Sequence, residues 1–166
     1  MNTPLPGNTS DTARLFTRPP GYAVGWQDRV ILPAPAAGAQ WSYTVDGRYW
    51  ERLVAVKFVF TTSAVVANRF PVLALEDANN TVITAVPGGN SVAASSTLTT
   101  YLVNDGPAYA GGSVGNTYGF LPDILVPPGY SWVSQTAAMD VGDAYSGIVL
   151  TVHRFPNDTT EIAAGE

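Results

Sequence analysis

The chain has a single histidine, His153, and no cysteine. Disulfides, thiolate metal sites and cysteine nucleophiles are therefore excluded, and a multi-histidine metal centre cannot form within one chain. His153 falls between Thr151 and Phe155 on one face of a strand, beside Arg154, the setting of a structural or surface histidine. A Ser-His-Asp set needs a framed serine, and no G-x-S-x-G elbow or comparable motif supplies one. Two carboxylates across a cleft would suit glycoside hydrolysis. The glutamates before the tail are Glu51 and Glu76, and both read as strand residues salt-bridged to Arg48, Arg52 or Arg69. Asp140 and Asp143, in MDVGD, could offer oxygens to Ca²⁺ together with Asp123 or Asp105. That ion wants about six to eight oxygens, and the spacing matches no standard loop, so a turn with Asx hydrogen bonds is expected. Gly88-Gly89 and Gly111-Gly112 lack the Lys, the Ser/Thr and the strand-to-helix setting of a phosphate loop. The sequence predicts no catalytic residue, no cofactor and no metal ligand.

Aromatic residues carry more information. Trp41, Tyr43, Tyr49 and Trp50 lie close together, and Tyr130, Trp132 and Tyr145 follow later. Lined up in a groove, such rings stack on sugars or on a protein ligand. By alternation Trp41 and Tyr43 share a face, whereas Tyr49 and Trp50 point oppositely. Core anchoring and strand-end packing account for most of them, and a subunit or receptor interface for the remainder. The interface residues expected are Leu15, Phe16, Tyr22, Tyr109 and Tyr118.

These residues are positioned by strands. Residues 1 to about 25 are rich in Pro, Gly, Thr and Ser, and Pro19-Pro20-Gly21 excludes a helix or central strand. They read as an extended arm whose aromatics dock against something, such as a neighbouring subunit. Val30 to Leu32 is a short apolar run ended by Pro33. Gln40 to Val45 alternates with period two, and Asp46-Gly47 signals a turn. Tyr49 to Thr61 (YWERLVAVKFVFT) is the clearest strand. Val54, Val56, Phe58 and Phe60 are expected on its core face, and Leu53, Ala55, Lys57 and Val59 on a partly wet one. Arg69 to Glu76 follows, with Pro71 hinting at an edge or bulge. Further strands are expected at Thr81–Val86, Ser91–Val103, Leu121–Val126, Tyr130–Met139 and Tyr145–Phe155, with turns at 77–80, 87–90 and 140–143. Asn104 to Gly119 reads as a long Gly-rich loop carrying Tyr109 and Tyr118. In the last strand Ile148, Leu150 and Val152 point one way and Val149, Thr151, His153 and Phe155 the other. The fold expected is an all-β antiparallel β-sandwich, jelly-roll-like, over residues 26–155, with an arm at 1–25 and a flexible tail at 156–166. Strand spacing leaves jelly-roll and immunoglobulin-like topologies both open.

Composition bounds the partners. Eight basic and 13 acidic residues make up 13% of the 166-residue chain, about half the usual share. A net charge of −5 argues against a nucleic-acid-binding face, which needs clustered Lys and Arg. The apolar runs are strand-sized, below the ~18–20 residues of a membrane span. Met1 to Asp11 lacks the basic start and apolar block of a signal peptide, so a soluble protein not exported by that route is expected. The Asn-x-Ser/Thr triplets at Asn8, Asn79 and Asn157 read as accidental loop composition, and redox compartment stays open.

The stretch Trp41 to Asn68, WSYTVDGRYWERLVAVKFVFTTSAVVAN, with Arg69-Phe70-Pro71-Val72 after it, resembles small auxiliary virion proteins of tailed bacteriophages. Val126 to Phe155 is similar to the same proteins, through its V-P-P-G-Y opening, the Gly142-Asp143 turn and the closing I-V-L-T-V-x-R-F. At the position of His153 such proteins more familiarly carry Glu. The resemblance implies a non-enzymatic auxiliary structural protein of a phage virion and leaves capsid decoration, head fibre and tail or baseplate positions open; a capsid decoration or cement protein, assembled in the host cytoplasm, is the favoured expectation. It also implies a homo-oligomer, with a trimer favoured and a pentamer or hexamer open, held to the major capsid protein or other virion proteins. The other reading is a receptor- or glycan-binding module of a head fibre, tail or baseplate, using Tyr109, Tyr118 and their loop.

Overall fold

The structure, a computed structural model, describes residues 25–89, 91–104 and 115–157. The arm before Gly25, the stretch around Tyr109 and the tail from residue 158 lie outside the described residues. So do four of the expected interface residues, Leu15, Phe16, Tyr22 and Tyr109.

Among the described residues all elements are strands: β1 (Trp26–Ile31), β2 (Ser42–Thr44), β3 (Tyr49–Thr61), β4 (Val72–Glu76), β5 (Val82–Pro87), β6 (Thr97–Asn104), β7 (Asn116–Leu121), β8 (Leu125–Val126), β9 (Ser131–Ser134) and β10 (Ala144–Pro156). Their pairing is nested. β4 pairs with β5, β3 with β6, β2 with β9 and β1 with β10, all antiparallel. This is one long hairpin. It is then rolled, so that β10 also pairs with β3 and β9 with β4. The result is a larger sheet of order β1-β10-β3-β6-β7, with β8 on β3, facing a four-stranded sheet of order β2-β9-β4-β5. Two four-strand orders nested in this way are the double Greek key of a jelly roll. The topology left open by strand spacing is thereby decided against the immunoglobulin type.

The core lies between the sheets. Leu53, Val56, Phe58 and Phe60 of β3 and Tyr145, Ile148, Leu150 and Val152 of β10 meet Tyr43, Leu73, Leu75 and Trp132 from the smaller sheet. Trp41, Phe58, Tyr145 and Phe60 form a chain of ring contacts with centroids 4.8–6.0 Å apart. Offset and edge-on packing of this kind adds to area burial.

Several expectations need correction. Simple alternation put Val54 in the core and Leu53 outside, but Leu53 is buried and Val54 is not. The register explains this: Thr151 opposes Ala55 and the next residue, Val152, opposes Leu53. Val54 is the extra residue of a β-bulge, which turns Leu53 and Glu51 inward. A second bulge lies in β10, where Gly147 and Ile148 together oppose Phe58. Gly147 takes φ of 56° there, a left-handed conformation suited to glycine. Tyr118 sits on strand β7 rather than in a loop, and β7 runs parallel to β6, the exception to antiparallel pairing among the described strands. Pro71 precedes β4, which is an interior strand and not an edge. Residues 91–96 come before β6, and β9 ends at Ser134. In both places backbone carbonyls and amides leave the ladder to bond neighbouring loops.

Candidate interaction site at the loop end

Rolling a hairpin gathers alternate connections at the same end. The connections after β1, β3, β5 and β9 meet there. Gly38 N–H donates to Asp143 O at 2.7 Å, Ser95 N–H to Ser63 O at 2.8 Å, and Ala137 N–H to Phe70 O at 3.3 Å. Arg69 and Val92 exchange both of their backbone hydrogen bonds, at 3.1 and 2.8 Å.

At the centre is an ion pair with no exposed surface. Arg69 Nε donates to Asp143 Oδ2 at 2.9 Å, and both side chains are 0% exposed. The rest of the guanidinium donates to Val65 O (2.6 Å), Ala67 O (3.1 Å) and Ser63 Oγ (3.1 Å). Asp143 accepts further from the Ser63 and Asp140 amides, each at 2.7 Å. Burial alone would raise the Asp143 carboxyl pKa. The two amides and Arg69 outweigh it and hold the pKa below the usual carboxylate range. Both charges are thus paired and hydrogen-bonded, the condition under which a buried pair is tolerated.

The pair holds up two loop tips. Arg69 grips the carbonyls on either side of Val66, whose side chain is 92% exposed, and Asp143 closes the turn carrying Val141, which is 83% exposed. A Cβ on Gly38 would stand 2.8 Å from the Val141 backbone, and Gly38 has φ of 76°, so glycine is required where the β1–β2 connection passes beneath. The loop end therefore presents apolar side chains on a braced backbone. Its charged groups are occupied internally.

The other expected chemistry disperses. Asp143 could serve Ca²⁺ only by giving up Arg69. Asp140 Oδ1 accepts from Ser63 Oγ and the Gly142 amide, both at 3.0 Å, while Asp123 pairs with Arg52 at 2.9 Å. Asp105 lies outside the described residues, and among those described no three His, Asp or Glu are grouped to hold a metal ion. Glu51 and Glu76 belong to different sheets. Glu51 is bound by Arg154 at 2.8 Å rather than by the arginines expected, and Glu76 accepts from Gln135 at 2.7 Å. Glu51 also receives the Tyr43 hydroxyl at 2.8–2.9 Å, and Arg154 continues to Asp28. Burial, opposed by the Arg154 hydrogen bond and aided by Glu51, pushes the Tyr43 phenol up to about 12. His153 stacks on Phe155 with ring centroids 4.5 Å apart, between Gln27 and Arg52 on the neighbouring strands. The Arg69–Asp143 pairing escaped sequence reasoning. Its one signal was an arginine set directly before Phe70-Pro71 and a hydrophobic strand.

A second surface is the outer face of the larger sheet. Ile31, Val149, Lys57, Tyr101 and Tyr118 form one row across five strands, and Arg29, Thr151, Ala55, Val103 and Phe120 the next. Ile31, Val103, Tyr118 and Phe120 are exposed. Tyr118 lies flat on Tyr101, with centroids 5.3 Å apart and planes 14° from parallel. Lys57 Nζ stands 5.9 Å from the Tyr101 ring.

By fold the chain is an all-β jelly-roll protein. No protein-family model matches it, and no curated protein matches it. Among solved structures it is similar to a chain in the crystal structure of the T13 viral particle of infectious bursal disease virus, at 11% identity and a TM-score of 0.34, over 78% of this chain and 31% of that one. The structure of the Gx strain of that virus is matched at 12% identity and a TM-score of 0.29, over 86% and 43%. Its T=1 particles give 11% and 0.27, over 86% and 42%. These matches are to virus particles, and to infectious bursal disease virus rather than to a tailed bacteriophage. The chain spans less than half the length of the chains it matches. The jelly-roll assignment rests on strand order, independently of these distant likenesses.

Proposed function

We propose that the chain is a non-enzymatic structural protein of a phage virion, a decoration or cement protein that stabilises the head. The observation that carries this reading is the loop end. A fully buried ion pair is used there to fix the backbone beneath Val66 and Val141, side chains that contribute nothing to the chain's own core. Apolar groups on a preorganised backbone bind with little ordering cost, which suits a contact with the shell built from the major capsid protein. The low charge of the sequence and its resemblance to tailed-phage auxiliary proteins support the same conclusion. A homo-oligomer, with a trimer favoured, fits the closed symmetry of such assemblies.

The test is occupancy on particles. Val66→Asp combined with Val141→Asp should abolish binding to undecorated heads while leaving the thermal midpoint of the isolated protein unchanged. Full occupancy by this variant would overturn the proposal. A receptor- or glycan-binding module is the second reading, favoured by the exposed Tyr118. One face of that ring is already covered by Tyr101, which leaves a single stacking face for a sugar.

A further inference from the structure

We infer that the β4–β5 hairpin end of one copy of this chain docks on the outer face of the larger sheet of the next copy. Val82 and Ile83 meet Tyr118 and Phe120 there, and Glu76 and Asp77 face Lys57 and Arg29. The first observation is how the charges pair. Arg48, Arg52, Arg69 and Arg154 each have a carboxylate partner. Among the described residues Arg29 and Lys57 have none. Both lie on the outer face of the larger sheet, in the two rows that carry the exposed Ile31, Val103, Tyr118 and Phe120. The second is where the unmatched carboxylates lie. Asp140 is tied through Ser63 Oγ to the Arg69 guanidinium at the loop end. The others among the described residues are Glu76 and Asp77, at the end of β4 in the smaller sheet, where Glu76 accepts from the neutral Gln135 amide. Charges left without an internal partner are thus sorted by sign onto the two sheets. The third is the shape of the hairpin. Leu75 opposes Thr84 and Glu76 opposes Val82, so Ile83 is the extra residue of a bulge. Val82 and Ile83 are both exposed beside Glu76. The turn beyond is fixed, because Asp77 Oδ1 accepts from the Asn79 and Thr81 amides, each at 2.8 Å.

Each surface joins apolar side chains to charges of one sign, and the two are complementary. Packing two larger sheets face to face would set like charges together, which opposes association, whereas the hairpin end brings the opposite sign. Hairpin and sheet face are different surfaces of one chain. The contact is therefore heterologous, and it closes into a ring when the rotation between copies permits. β4 leaves the loop end at Val72 and reaches Glu76 at the opposite end, so docking leaves Val66 and Val141 to the shell contact.

This contact rests on the homo-oligomer reading proposed above, and the experiment separates the two. The absence of cysteine allows Ile83→Cys and Tyr118→Cys to be combined in the full chain. Within one chain they cannot bridge. A Cβ on Gly119 would stand 3.8 Å from Pro87 O, where β5 approaches β7, and Ile83 lies four residues, about 13 Å, back along β5. Under mild oxidation the double variant should form chain-to-chain disulfides at least about tenfold faster than either single variant, because docked partners sit at millimolar effective concentration. Sedimentation without new cysteines is the second measurement. Lys57→Glu and Glu76→Lys should each weaken association about tenfold or more by setting like charges together, and the two combined in one chain should recover it. Equal bridging in the single variants, an oligomer indifferent to Lys57→Glu, or no recovery in the exchanged pair would overturn the docking and leave the homo-oligomer reading standing. A wild-type chain that stays monomeric would overturn both.

Discussion

Asp143→Asn changes one atom in a site with no solvent access, and its consequences can be worked through. The variant keeps the shape of the turn but removes the charge opposite Arg69, whose side chain is 0% exposed. The guanidinium retains Val65 O, Ala67 O and Ser63 Oγ, which are neutral acceptors. Breaking a buried ion pair from one side typically costs about 3–5 kcal/mol. In a domain of this size each kcal/mol moves the thermal midpoint by about 2–4 °C, so a fall of roughly 6–20 °C is expected. Urea unfolding followed by the fluorescence of the buried Trp41 and Trp132 gives the free energy directly. Arg69→Met with Asp143→Leu should cost less than the sum of the single changes, since neither charge is then stranded. The pH dependence has a definite sign. The Asp143 carboxyl is depressed in the folded state, so its stabilisation is full above the unfolded pKa near 3.8 and is lost as pH falls towards the folded value. Asp143→Asn should lack this acid-limb component. A single-variant cost under about 1 kcal/mol, or an additive double variant, would refute the idea that the pair braces the loop end.

The bulge makes a second prediction: Leu53→Ala should cost about 2–5 kcal/mol and its neighbour Val54→Ala under about 1 kcal/mol, and a reversed order in urea unfolding would restore simple alternation. A third concerns Tyr43, whose phenol is raised from 10.0 to about 12. Its contribution is full below pH 10 and is lost as pH rises from there towards 12. Tyrosinate absorbance should therefore lose one late-titrating phenol in Tyr43→Phe, while the phenol of Tyr145, raised by its own burial, still titrates late.

Much of the fold was legible because period-two alternation reports which side of a strand faces the core. The bounds of β3 are those expected, and Trp41 and Tyr43 share the buried face as read. Alternation failed at Val54 because a bulge is a property of two strands, and nothing in LVAV marks the residue that β10 skips. Nested pairing was likewise invisible, since Trp26 and Arg154 meet only in the fold. Turns came through where the side chain makes its own hydrogen bonds, as Asp46 does with the Arg48 amide at 2.9 Å. The loop-end site was missed for the opposite reason. Arg69 and Asp143 are 74 positions apart, and each has a local reading of its own, Arg69 as the salt-bridge partner of a strand glutamate and Asp143 as a turn residue with Asx hydrogen bonds. Leu15, Phe16 and Tyr22 are scattered apolar residues in a polar segment, and Tyr109 stands in a Gly-rich one. Tyr118, from the same group, proved to be a strand residue with a stacked partner.

The nested pairing also sets an order of events during synthesis. β10 is the last of the described strands in chain order, yet it lies between β1 and β3 in the larger sheet. Until it arrives, β1 has no neighbour among the described strands and the core lacks Tyr145, Ile148, Leu150 and Val152. Such long-range closure is slow and leaves strand edges exposed to aggregation. Asp143 is delivered by the residues just before β10, so Arg69 stays unpaired over the same interval. A nascent or truncated chain would have the sequence of the loop end without its rigidity. Recognition by that end would then select for finished copies and against incomplete ones.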